Sequence, residues 1–443
     1  MTTLVRTLRF RDLLLLIIGT VIGSGVFLVP GSILRQLNGS VGLGLLVWIT
    51  GGFLSLLGAL TYGELAAMKP EAGGVYVYIR DCFGPLPAFL YGWMLFLVGA
   101  SGSVATLAVA FSVYLRQIVP LTPLAGKAAA VAMIAVVTAA NVRGTRESAD
   151  LQNWTTILKI AAILALSAVL LVLGRGYAGM RLSEDFWPAH ASRSLFSAFG
   201  VAMIAALWAY EGWQYATFSA AEAVNPQRDF PRAFSASMIF LAIIYILANI
   251  GYLAALGPKA AAASDAIAAS AIAAAWNPHM AKFVALAILV SVFSAANGIQ
   301  LTAPRVFYTM AAEGLFFRRL AEIHPRYRTP AAAIVTGGIW AAVLACWGTF
   351  QQLLTYVIFT SWAFYGLAAA SIFVYRRRQP GLERPYRVPG YPWTPALFVL
   401  AAAILVINTI IAGPGGAAEG AGIVLLGVPV YLLWRARARA HLS

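Results

Sequence analysis

Gly23-Ser24-Gly25 and Tyr210-Glu211-Gly212-Trp213 interrupt two otherwise apolar runs, and their residue types suit the binding of a small zwitterion. Glycine inside a helix costs about 1 kcal/mol relative to Ala, and in lipid every backbone group freed by a break needs another partner. Paired breaks of this kind line cavities, with half-helix N-termini facing anionic groups and unwound carbonyls facing cations. At the first break Val21 and Ile22 end one half-helix with unpaired carbonyls, while Ser24 and Gly25 open the next with unpaired amides. An α-amino acid would rest its carboxylate on the amides around Ser24 and Gly25, helped by the Ser24 hydroxyl. Its ammonium would lie among the carbonyls of Val21, Trp208 and Glu211. The competing explanation is that Gly23 and Gly25 only permit close helix packing.

Glu211 is the sharpest single residue. A carboxylate near the centre of a bilayer costs roughly 2.5 to 3.5 kcal/mol on insertion scales, so it is a candidate for function. Three roles compete: a proton carrier, a partner for a substrate amine, and a cap on the broken helix. Lys159 lies in another apolar run, where a long stem lets an ammonium snorkel to the headgroups. Trp208 either packs or closes over a ligand as a gate. Gln214, Asn249, Asn297 and Gln300 are expected to bond neighbouring helices, and Glu64 is expected at the inner interface.

Other chemistry has little support. His190, His279, His324 and His441 are scattered, which disfavours a metal site. No phosphate-binding loop and no nucleophile-base constellation is present, so neither an enzyme nor a cofactor is expected.

These residues are positioned by a chain of 443 residues, 61% hydrophobic and only 11% charged. That much apolar surface does not fit a water-soluble core, and the composition implies an integral membrane protein of the all-α class. The net charge of +15 sits in short connections between apolar runs, which favours orientation in a lipid bilayer over binding to nucleic acid. Apolar runs of roughly 20 residues predict about twelve spans, near 13–35, 41–66, 85–115, 125–142, 151–173, 194–222, 233–256, 279–304, 330–347, 351–375, 393–413 and 418–434. The split within 330–375 is placed at the polar turn Gly348-Thr349-Phe350-Gln351-Gln352. The first span is read as retained, not as a cleaved signal.

With both termini cytoplasmic, 23 of the 31 Lys and Arg residues fall on the inner side. The segments 68–84 and 305–329 are then inner connections, and 258–275 is an outer helix or loop. Cys82, in the first of these connections, and Cys346, in the ninth span, are not expected to pair. Breaks in spans one and six, entering from opposite sides, predict a single transporter domain over 1–443. It consists of an inverted repeat of five helices plus five, about 10–175 and 190–376, with two extra helices at about 390–436.

Several motifs carry a family resemblance. Ile17-Ile18-Gly19-Thr20-Val21-Ile22-Gly23-Ser24-Gly25-Val26-Phe27 is similar to a first-helix signature, and Glu71-Ala72-Gly73-Gly74-Val75-Tyr76 to a cytoplasmic-loop motif. Trp208 to Trp213 with Glu222 to Pro231, Asn297-Gly298 with Pro304-Arg305, and Pro380 to Tyr386 follow in matching order. The chain thus resembles the amino acid-polyamine-organocation superfamily, and within it the bacterial relatives of the L-type amino acid transporters. The resemblance implies the five-plus-five fold, alternating access around one amino acid, a gating role for Trp208, and a Lys159 that bridges helices one and eight and disfavours sodium coupling. Glu211 stands where animal members commonly have Gly. The outer loop between spans three and four lacks the cysteine of members that join a heavy chain, so no heavy-chain partner is expected.

The combined expectation is an amino acid permease of the cytoplasmic membrane. It would move small or neutral L-amino acids by exchange or proton symport, with a cationic amino acid or polyamine carrier as the alternative. A receptor or scaffold that binds an amino acid without moving it is the reading from a different class.

Overall fold

The computed structural model describes residues 4–175, 186–188, 193–347, 350–412 and 414–440. Gly348 and Thr349 of the polar turn, together with His190 and His441, lie outside them. Helices α1 (Phe10–Val21) and α2 (Gly25–Gln36) form one span bent by 44° at the break. α3 (Val41–Met68) follows, then the short α4 (Val75–Phe83). α5 (Pro85–Met94) runs through a π turn, Leu95–Gly99, into α6 (Ala100–Leu115). α7 (Pro123–Arg143), α8 (Thr145–Leu173) and α9 (Arg193–Ala209) complete the first part of the bundle.

After the second break the chain continues as α10 (Pro226–Ala263), α11 (Ile267–Ala275), α12 (Ala281–Thr302) and α13 (Pro304–Ala312). α14 (Ala331–Trp347), α15 (Phe350–Arg378), α16 (Trp393–Ala412), α17 (Pro414–Leu425) and α18 (Gly427–Ala440) close it. Among the described residues, eight helices are long and apolar enough to cross a membrane, nine counting the bent pair as one span. The shorter apolar helices 195–209 and 331–347 and the 29-residue α15 bring the total to the expected twelve. The chain is an all-α, multi-pass membrane protein.

Three expectations change. The 68–84 connection contains a helix: α4 has Val75 to Ile79 buried, because its alternating aromatic and aliphatic side chains pack under the bundle. The second half of span six is not α-helical. Beyond Gly212 it winds as a 3-10 turn, Trp213–Phe218. The 305–329 connection opens with α13, whose Arg305 is wholly buried. Glu64 finds its partners inside the protein. It is fully buried, bonded by Arg376 Nε and Nη2 at 3.0 and 2.6 Å and by the Val388 amide at 2.6 Å, which compensates the cost of burying it.

Hydrogen bonds and ion pairs gather on the face of the bundle that carries the N-terminal segment. The Thr7 and Leu8 amides both donate to the Glu222 carbonyl at 2.9 Å, and the Val224 amide donates back to Leu8 at 2.8 Å. Beneath this strap the Arg305 guanidinium holds both Glu222 oxygens, and Thr145 joins them. Arg146 and Asn153 clamp Asp12 at the foot of α1. Arg80 and Tyr76 of α4 reach Glu313 beyond α13.

Candidate functional site

The two helix breaks touch. A Cβ at Gly25 would lie 2.8 Å from Ala209 Cβ, and one at Gly212 would lie 3.0 Å from the Thr20 carbonyl. Only glycine permits this approach, and Gly212 also has φ +123°, a backbone conformation that other residues adopt with strain. Ile22 leaves the helical conformation with ψ 93°, and Ser24, buried, stands at the N-cap position of α2 without a side-chain capping bond.

The carbonyl end of the first break is already served. Lys159 does not snorkel: it is 1% exposed, and its ammonium donates to the carbonyls of Gly19 at 2.7 Å, Ile22 at 2.6 Å and Ser291 at 3.1 Å. Three donors on a buried ammonium meet three acceptors, two from α1 with its terminal cap and one from α12. The Ser291 hydroxyl adds bonds to Ile22 at 3.0 Å and Gly23 at 2.9 Å. A bare cation entering here would have to displace a fixed positive charge. Among the described residues no group of three His, Cys, Asp or Glu side chains stands ready to hold a metal.

Tyr245 of α10 joins the two breaks. Its hydroxyl lies 2.9 Å from the Ala209 carbonyl and 3.3 Å from that of Val21. The Trp208 carbonyl accepts from the Glu211 amide at 3.1 Å. The Trp208 carbonyl, expected to face a substrate ammonium, therefore has a donor within the fold, whereas the Val21 carbonyl has only the longer share of the single Tyr245 hydroxyl proton.

Glu211 has one satisfied and one open oxygen. Its Oε1 accepts from the Tyr365 hydroxyl at 2.8 Å, and Oε2 is buried with no hydrogen-bond partner. Tyr365 in turn accepts from Gln214 at 2.6 Å, and the Gln214 carbonyl oxygen accepts from the Gly212 amide at 3.2 Å. The side chain thus ties the second break to α15 instead of capping α9.

Between the breaks lies a cavity of about 40 Å³, lined by Thr20, Val21, Gly23, Ser24, Gly25, Trp208, Glu211 and Gly212, with Ser103 and Tyr215 across from them. Val21, Ser24, Trp208 and Glu211, read from the sequence as one site, come together on its wall. Ile22 is buried beside it and spends its carbonyl on Lys159 and Ser291. Trp208 is partly exposed at the edge. The π turn places Ser103 here, its hydroxyl bonded to the Gly99 carbonyl at 2.6 Å.

The profile of the family described as amino acid permease matches residues 8–433. The chain belongs to the amino acid permease family. It is 32% identical over 428 residues to the human cystine/glutamate transporter, covering 95% of this chain and 83% of that one. Against the serine/threonine exchanger SteT of Bacillus subtilis it is 30% identical over 421 residues, covering 94% of each. It is also 31% identical over 409 residues to the b(0,+)-type amino acid transporter 1 of Rattus norvegicus, covering 90% of this chain and 81% of that one. The permease is accordingly a membrane transporter of amino acids, and its relatives are transporters, not enzymes.

Of the other amides, Asn297 bonds Asn141 and Gln152, and Gln300 bonds Thr138, each linking helices as expected. Asn249 instead donates to Tyr245 in its own helix. Sequence reasoning missed Tyr245, Ser291 and Tyr365. Each is a common residue in an apolar run, and the partners that give it meaning lie 36 to 269 positions away.

Proposed function

We propose that the permease exchanges small neutral L-amino acids across the cell membrane. The reading rests on one observation: the cavity of about 40 Å³ between the two breaks is lined by Ser24 and Gly25 at the start of α2 and by Glu211, whose Oε2 has no partner, while Lys159 occupies the carbonyls of Gly19 and Ile22. The first-turn amides of α2 receive the substrate carboxylate, with the Ser24 hydroxyl beside them. Glu211 Oε2 receives the ammonium. A cavity of that size holds a few waters' worth of volume, which suits alanine or serine better than the long chain of arginine or a polyamine. Trp208 closes the edge of the site, and Lys159 couples α1 to α12 in place of an ion. The serine/threonine exchanger of Bacillus subtilis supports exchange as the transport mode.

The same reading places both termini in the cytoplasm and assigns the repeats to about 10–175 and 190–376. The strapped, ion-paired face is then the closed inner gate. We also infer that the permease works without a heavy chain, although one relative bears the name large neutral amino acids transporter small subunit 2.

Uptake of radiolabelled alanine into liposomes tests this, with and without internal amino acid and with and without an inside-alkaline gradient. Uptake that requires internal alanine or serine is expected. Uptake into empty vesicles driven by the gradient would replace exchange with proton symport. Silence with alanine, arginine and putrescine alike would overturn the carrier reading.

A further inference from the structure

A second site lies far from the broken helices, on the outer flank of the bundle between α7 and α14. An apolar groove of about 580 Å³ runs along these two helices between Ala135, Ala139, Val335 and Ile339, and it ends at Arg143 and Tyr327. A second cleft of about 410 Å³ begins at the same two residues and continues onto the N-terminal face, where Arg326 and Arg328 line it. The two spaces share Arg143 and Tyr327, so one elongated ligand can occupy both.

The charge of the second cleft is uneven. Arg143, Arg326 and Arg328 are all exposed, and none takes part in an ion pair among the described residues. Arg146, also at its wall, is committed to Asp12 and Asp150. Glu147 is the one acidic side chain lining it. The backbone that carries Arg326 and Arg328 is held in place: the His324 imidazole accepts from the amides of Arg326 and Tyr327 at 3.3 and 3.2 Å, and the Arg328 amide donates to the His324 carbonyl at 2.9 Å. Thr329 pins this turn to the Val142 carbonyl at 2.9 Å, at the end of α7. Arg328 keeps φ +55°, a conformation a non-glycine residue holds only when its surroundings impose it.

We propose that this composite groove binds one anionic phospholipid, with its acyl chains along α7 and α14 and its phosphodiester on Arg143, Arg326 and Arg328. An apolar slot that follows α7 for about 18 Å from Val131 to Arg143, roughly the depth of one leaflet and capped at one end by guanidinium groups outside any ion pair, matches the two parts of such a lipid. Basic pockets between spans at one membrane face bind anionic headgroups through this chemistry, and guanidinium forks meet phosphate oxygens in pairs. A zwitterionic lipid would bring an ammonium into a cleft that already carries excess positive charge.

The test uses the full chain in detergent, titrated with palmitoyl-oleoyl phosphatidylglycerol or the corresponding phosphatidylcholine, with bound lipid counted by native mass spectrometry. One phosphatidylglycerol is expected to remain bound under conditions that strip phosphatidylcholine. The Arg143→Gln/Arg326→Gln/Arg328→Gln variant should weaken its retention at least tenfold. Ala135→Phe fills the groove while keeping every charge, and should weaken retention similarly. Glycerol phosphate, which has the headgroup without the chains, should not compete at equal concentration. Equal retention of both lipids, unchanged retention in the charge variant, or competition by glycerol phosphate alone would overturn the proposal. So would a dimer that Ala135→Phe converts to monomer without altering lipid retention, since the groove would then be an interface between copies.

Discussion

Arg305 and Glu222, 83 positions apart, meet at 2.6 Å with side chains 0% and 1% exposed. The pair is the centre of the ion-paired face. Two nitrogens of Arg305 hold both carboxylate oxygens, and the Glu222 carbonyl anchors the N-terminal strap at Thr7 and Leu8. Breaking a buried pair by removing one partner costs about 3–5 kcal/mol, because the other charge stays behind. Glu222→Ala should therefore lower thermal stability in detergent, read by tryptophan fluorescence, while Glu222→Gln with Arg305→Met should recover most of the loss. Equal damage in the single and double variants would remove the pair from this role.

Lys159 makes a different prediction. Hydrogen bonds to charged groups contribute about 1.5–3 kcal/mol each, and its three hold α1 to α12 at the break. Lys159→Met keeps the length and removes the charge. Exchange in liposomes should fall at least tenfold while the protein still purifies as a folded species, and retained exchange would show that Ser291 alone suffices.

At Glu211 the assignment of Oε2 to the substrate ammonium predicts a change in affinity. Glu211→Gln keeps an acceptor for Tyr365 but loses the charge, a loss of about 1.5–3 kcal/mol. KM for alanine should rise about tenfold or more, with the pH profile of exchange unchanged. A flattened pH profile at unchanged KM would make Glu211 a proton carrier instead.

Gly25 and Gly212 set the spacing of the breaks. Gly212→Ala should cost about 1–3 kcal/mol from its positive φ, in addition to crowding the Thr20 carbonyl. Gly25→Ala meets Ala209 backbone at 2.9 Å and should abolish alanine binding by narrowing the cavity. Binding by thermal shift with alanine checks both, and normal affinity in Gly25→Ala would mean the breaks can separate freely.

The two cysteines, both free, should differ in reactivity. Burial pushes the Cys82 thiol up from 9.0 to about 11, so at neutral pH its thiolate fraction is about 100-fold below that of an ordinary thiol with the 9.0 value. Its alkylation by maleimide should be slow at pH 7 and accelerate as pH rises toward 11. Rapid labelling at pH 7 would show that α4 opens readily from the bundle.

Much of the architecture was legible in the chain itself. Twelve apolar runs, glycines at both breaks and an acidic residue in a span follow from the cost of leaving backbone or charge unpaired in lipid, and that cost acts on local sequence. Lys159 was visible as an oddity, but its meaning was not. Only packing brought its ammonium to carbonyls 132 to 140 positions away. Glu64 shows the same limit: the local sequence did not reveal that a distant Arg376 makes its full burial tolerable. The 3-10 winding after Gly212 likewise depends on contacts made by neighbouring helices, not on the propensity of Trp213 to Phe218. The sequence by itself determined where the helices cross and where they break. Tertiary structure alone decided which carbonyls remain open to a ligand, because a buried acceptor takes its donor from whatever the fold places within 3 Å.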